Sequence, residues 1–209
     1  MYLGTMLTDS FDNRGEVSNR LGDCIATCRR MKLFWSKANV SIRWKIQVFN
    51  AIIRSKLLYG LECIQLTNAE LSRLNSFQNR SLRCILGKPP TFIDRTQTNE
   101  NMYFEIESLY GCKFQHFSDT WRHAKLKLFG HILRTDRADP LFQVTFSRDG
   151  LHPREHGPRR QGRPRADWLT ESFRDAYNLV IGNQAVFDPS NDDHLRFVKH
   201  LAEQRTYPF

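Results

Sequence analysis

Carboxylate pairs come first among the residues that could do chemistry. Asp192-Asp193 is the one adjacent pair of aspartates, set in Ser190-Asn191-Asp192-Asp193-His194. Two-metal phosphoryl transfer needs such a pair on a rigid strand turn, with a further carboxylate, to hold Mg²⁺ on the reacting phosphate. No apolar strand flanks this pair, and its position predicts the first turn of a helix, where acidic side chains cap and complement the dipole. Cys24 and Cys28 lie one helical turn apart, and Cys112 with His116 repeats that spacing. A structural zinc site asks for two close-set pairs at regular spacing. Cys24 and Cys28 instead fall on an apolar stripe, which predicts burial. His123 and His131 have no companions for a triad, and no glycine-rich phosphate loop is present. These residues predict no catalytic centre, metal, cofactor or small-molecule substrate.

The basic residues are better ordered. At 100° per residue, a helix over 68–86 places Arg73, Arg80 and Arg83 on one side, opposite Leu71, Leu74, Leu82 and Ile85. A helix over 118–133 aligns His123, Lys127, His131 and Arg134 away from Trp121, Ala124, Leu128 and Ile132. Such stripes suit a phosphate backbone, and they equally describe a solvated helix face. Lys45 and Arg54 are further candidates. Arg159-Arg160-Gln161-Gly162-Arg163-Pro164-Arg165 is similar to the core of an AT-hook, whose extended Gly-Arg-Pro enters a narrow A·T-rich minor groove. On that reading Arg160, Arg163 and Arg165 would touch DNA; the plainer reading is a flexible basic connector.

The elements that must position these residues read as mainly α. Met1 to Asp12 predicts a short strand and turn, a lone strand needing a sheet to join. From Glu16 the apolar period becomes helical through Val17, Leu21, Cys24, Ile25, Cys28, Met31 and Trp35. Ser41 predicts the cap of a second helix, striped by Ile42, Ile46, Phe49 and Ile53, that frays at Tyr59-Gly60. Thr67-Asn68-Ala69-Glu70 is a capping box for a third, which Gly87 and Pro89-Pro90 stop. Together these predict a helical bundle over 13–88. A connecting helical region follows over 89–146, with helices near 101–109 and 118–133 and Pro140 closing it. Residues 147–165 hold six arginines and two histidines among glycines and prolines, a basic linker. Two helices are expected over 166–209, split by Gly182 and Pro189.

Composition bounds the function. The 209 residues carry 31 Lys+Arg against 22 Asp+Glu, a net charge of +9, and the excess favours a polyanionic partner. The charge is uneven. Residues 1–100 hold 15 basic and 8 acidic groups, 113–165 hold 12 and 5, and 166–209 hold 4 and 7. No apolar run approaches the roughly 20 residues that span a bilayer. No secretory leader is visible, and five scattered cysteines do not form a disulfide framework. A nuclear or cytoplasmic location is expected, with no membrane partner.

Several short motifs, in order, resemble a known family. Tyr2-Leu3-Gly4, the helix with Arg20-Leu21 and Ala26, and Leu33 with Trp35 look like the segment after the catalytic carboxylates in non-LTR (LINE-type) retrotransposon reverse transcriptases. Ser41 with Lys45, Leu57-Leu58-Tyr59-Gly60-Leu61-Glu62, Gln78, and Leu82-Arg83-Cys84-Ile85-Leu86-Gly87 continue the likeness. Lys127-Leu128-Phe129-Gly130-His131-Ile132-Leu133-Arg134 and Gly162-Arg163-Pro164-Arg165 with Trp168 resemble the region beyond the thumb. The likeness covers roughly residues 2–88 and 125–170, some three fifths of the chain. Cys63-Ile64 departs from it, since the family often has a tryptophan soon after the glutamate.

The resemblance implies that residues 1–12 are a palm-edge remnant, with Tyr2, Leu3 and Gly4 gripping the primer end. It implies that 13–88 is the thumb, holding a template–primer duplex of RNA or DNA. The palm and its metal-binding carboxylates would lie upstream of Met1, so this stretch is expected to bind without polymerising. Two other readings stand beside it: a small helical DNA-binding or interaction module using the Arg-rich linker, and a decayed open reading frame without a function.

Overall fold

A computed structural model describes residues 15–111, 113–147, 150–154, 167–182, 186–205 and 209. The strand expected over 1–12, with Tyr2, Leu3 and Gly4, lies outside them, as do Cys112 and linker residues 155–166. Among the described residues the chain is mainly α, and the one β feature is an isolated antiparallel bridge between Phe146 and Pro153. The chain divides into two compact units, one of residues up to Leu61 with Leu66–Trp121, the other of Glu62–Gln65 with Arg122–Phe209.

The first unit starts with α1 (Glu16–Arg30) and α2 (Lys32–Lys37). The sequence reads as one helix here, but it breaks at Met31. The Trp35 indole donates to the Cys28 carbonyl at 3.2 Å, satisfying an acceptor freed at the helix end. Ser41 caps α3 (Ile42–Phe49), its hydroxyl accepting from the Trp44 amide at 3.2 Å. A π-helical stretch, Asn50–Arg54, then leads into α4 (Ser55–Leu58). Ile46, Phe49, Ile53 and Leu57 stay buried through it, so the wider turn keeps the stripe facing inward. The chain leaves α4 at Gly60, with a φ of 71° that favours glycine. Arg20 of α1 donates to the Tyr59 carbonyl there and pairs with Glu16.

The predicted capping box forms at α5 (Asn68–Leu86): the Thr67 amide donates to Glu70 at 2.8 Å and its hydroxyl accepts from the Glu70 amide at 3.3 Å. Gly87 ends the helix in the left-handed region, and the Lys88 N–H donates a hydrogen bond back to the Arg83 carbonyl at 2.9 Å. Helix α6 (Asn99–Tyr110), predicted over 101–109, is capped by Thr98 and buries Met102, Tyr103 and Ile106. The Tyr103 hydroxyl donates to Asn79 of α5 at 2.8 Å. Residues 89–121 therefore belong with the bundle.

Helix α7 (Phe117–Arg134) starts at a clamp built by α5. Gln78, 1% exposed, accepts from the Phe117 amide at 2.8 Å and donates to the Gln115 carbonyl at 3.0 Å. One turn earlier on α5, Asn75 accepts from the Ser118 amide at 3.0 Å and donates to the Ser118 hydroxyl at 2.9 Å. Two helix-start donors are thus met by side chains about forty residues upstream.

The second unit holds the rest of α7, then α8 (Pro140–Thr145), α9 (Trp168–Ile181) and α10 (Asp192–Glu203). Pro140, expected as a stop, opens α8 instead: Asp139 caps it through the Leu141 amide at 2.7 Å, and proline fits the first turn, where its missing N–H costs nothing. The core gathers Phe129, Phe146, Phe173, Phe187, Leu195 and Val198. Of the stripe expected on α7, Trp121 and Ile132 are buried, and the buried face is wider than that stripe. Lys125, Leu126, Phe129 and Leu133 are buried, whereas Ala124 and Leu128 are half-buried. Lys125 is enclosed because its ammonium donates to Asp175 at 2.7 Å and Gln65 at 3.1 Å.

Candidate functional site

The cations proposed from sequence fall into three groups. Arg73 and Arg80 are exposed on α5, seven residues and about two turns apart, which puts them on one face with roughly 10 Å of rise between them. Arg73 rests against the Ser18 hydroxyl at 3.1 Å through both terminal nitrogens. Lys127 is exposed on α7, with His123 and His131 beside it, and Arg54 is half-buried at the end of the π-helical stretch.

Lys45, Arg83 and Arg134 are placed differently, because each satisfies a backbone carbonyl. The Lys45 ammonium is 8% exposed and donates to the Trp35 carbonyl in the last turn of α2 at 2.7 Å. Arg83 is 9% exposed, bound to the Pro89 carbonyl at 3.0 Å and to Asn99 at 2.8 Å. Arg134, half-buried, donates to the Ala202 carbonyl near the end of α10 at 3.0 Å. A cation at a helix C-terminus meets orphan acceptors and the negative end of the dipole together. Arg83 reaches past the end of α5 to the Pro89 carbonyl and Asn99, and so leaves the exposed face that the 100° projection gave it. It lies next to buried Leu82, and the loop beyond Gly87 folds over it. Arg160, Arg163 and Arg165 lie outside the described residues.

The groups considered for chemistry have structural partners. Asn191 caps α10 through the Asp193 amide at 2.9 Å, and Asp192 faces His152 at 3.0 Å, so the Asp-Asp pair occupies a first helical turn as expected. Cys24 is buried and its thiol points at the Ile53 carbonyl at 3.9 Å. No group of three or more His, Cys, Asp or Glu suited to a metal occurs among the described residues, and none of their helices is long and apolar enough to cross a membrane.

Several residues of the short motifs quoted above sit in packed positions inside one unit or the other. Leu57 and Leu61 are fully buried, the Trp121 indole donates to the Leu61 carbonyl at 2.9 Å, and the Trp168 indole donates to the Glu62 carbonyl at 2.8 Å. Gly130 is packed so closely by Phe209 that an added Cβ would lie 2.6 Å from its ring. Sequence reading missed Arg29 and Lys32, exposed cations where α1 meets α2; their i, i+3 spacing was the available signal. No protein-family model, curated protein or solved structure matches the chain.

Proposed function

We propose that this chain is the thumb and post-thumb region of a non-LTR retroelement reverse transcriptase, and that it grips a template–primer duplex through basic helix faces while contributing no polymerase chemistry of its own. The motif order supports the family. The observation that carries the binding is the exposed Arg73–Arg80 face of α5. Two cations about 10 Å apart follow a duplex carrying one charge per roughly 1.7 Å of axis, and no base edge need be read. Lys127 adds a cation on α7.

Fluorescence anisotropy with an RNA–DNA hybrid, an A·T-rich duplex and a G·C-rich duplex tests this. Salt-sensitive binding to all three, or preference for the hybrid, is expected. Exchanging Arg73 and Arg80 together for Glu should weaken all three by about tenfold or more, since charge reversal replaces attraction by repulsion. Arg83 is unsuitable for that test, because its replacement breaks buried hydrogen bonds. Unchanged affinity in the double variant removes the α5 face from the account. Selective A·T binding that disappears in Arg163→Ala transfers the function to the Arg-rich segment. Incorporation of labelled dNTP on a primed RNA template would overturn the absence of synthesis.

A further inference from the structure

The first unit contains a cavity of about 250 Å³ between α1, α2, α3 and α5. Its walls are Ile25, Trp35, Phe49, Phe77 and Ile85. Polar groups at the lining are few: the Ser81 hydroxyl and the thiols of Cys28 and Cys84. Arg29, Lys32 and Arg80 also line it, and all three are exposed. No carboxylate pairs with any of the three among the described residues. Arg29 alone has an ordinary explanation, as a cation in the last turn of α1. Lys32 starts the next helix and Arg80 sits in the middle of α5, where the dipole asks for neither.

We propose that this cavity binds a small amphiphilic anion, its hydrocarbon or aryl body among the apolar walls and its carboxylate, sulfate or phosphate head at Arg29, Lys32 and Arg80. Size fits: an apolar cavity of about 150 Å³ takes benzene, so this one admits a longer chain or a second ring. Chemistry fits too. A nucleobase would bring several amide-type donors and acceptors against these walls, each costing about 1–3 kcal/mol if left unpaired. A hydrocarbon body brings none. An alkyl cation would meet three positive charges at the mouth. The cavity does not rest on the proposed duplex grip, but Arg80 belongs to both surfaces.

The cysteines provide the readout. Cys84 at the cavity and Cys63 in the other unit are both exposed. Iodoacetamide labelling of the intact chain, followed by mass spectrometry, is run with decanoate, decanol or decyltrimethylammonium below their micellar ranges. Decanoate should slow labelling of Cys84 and leave Cys63 unchanged, with decanol acting at higher concentration and the ammonium least. In Arg29→Glu/Lys32→Glu, which alters exposed side chains only, the decanoate midpoint should rise by about fivefold or more and the ammonium should overtake it. The proposal is overturned if no compound protects Cys84, if all three protect it equally, or if Cys63 is protected alongside it.

Discussion

Cys24 shows what burial does to a single side chain. Enclosure between α1 and the π-helical stretch pushes its thiol up to about 11, with Lys56 working in the opposite direction. Its pKa in the folded chain thus exceeds the unfolded value of about 8.5. The native state keeps a proton that the unfolded chain gives up, so the stabilisation is complete below pH 8.5 and disappears as pH rises through about 11. The Tyr103 hydroxyl, also raised by burial, adds the same trend at still higher pH. Urea midpoints measured under reducing conditions should hold to pH 8.5 and fall by pH 11. A Cys24→Ala variant should lose stability from the emptied volume at every pH, but its decline between pH 8.5 and 11 should be shallower than that of the parent chain. An identical pH profile in the variant would show that the thiol stays protonated or that its burial does not decide the loss.

At the scale of elements, the most demanding contact is the Gln78 clamp. Gln78→Ala removes two hydrogen bonds and leaves the buried Phe117 amide unmet, an expected cost of about 1–3 kcal/mol in urea unfolding. Asn75→Ala, whose partner Ser118 is half-buried, should cost less. Equal, negligible costs would mean that water replaces the clamp. The helices themselves were largely legible in the sequence: Ser41, the Thr67–Glu70 box and Gly87 mark ends by local chemistry, and local chemistry is what a sequence displays. The break at Met31 was not, because it depends on an indole seven residues from the carbonyl it meets. Pro140 was misplaced because proline stops one helix and starts another by the same missing N–H. Within the candidate site, Arg73, Arg80 and Lys127 are as exposed as helical periodicity implies. Lys45, Arg83 and Arg134 are not, since a long cationic side chain turns wherever a free carbonyl waits, and periodicity places only its Cβ.

For the whole molecule, charge is the property that sums. The net +9 is concentrated in the first hundred residues and in 113–165, while the last stretch is acidic. With Lys45, Arg83 and Arg134 held by carbonyls, Arg73, Arg80 and Lys127 remain as the exposed cations of the proposed set on the described helices. Neutralising about three phosphates predicts a slope of roughly −2 to −3 for log affinity against log salt. A slope near −6 in the same titration would show that the arginines of 159–165 join the contact, and a flat line would remove electrostatics from binding altogether. The Asn75–Gln78 clamp has one more consequence. Because α5 dictates where α7 begins, the intervening stretch need not measure out that distance, and its cost of closure grows only logarithmically with length. Related chains are therefore free to lengthen or shorten the exposed turn at 91–96 while keeping the same register, as a drawer keeps its place by its runners and not by the length of its handle.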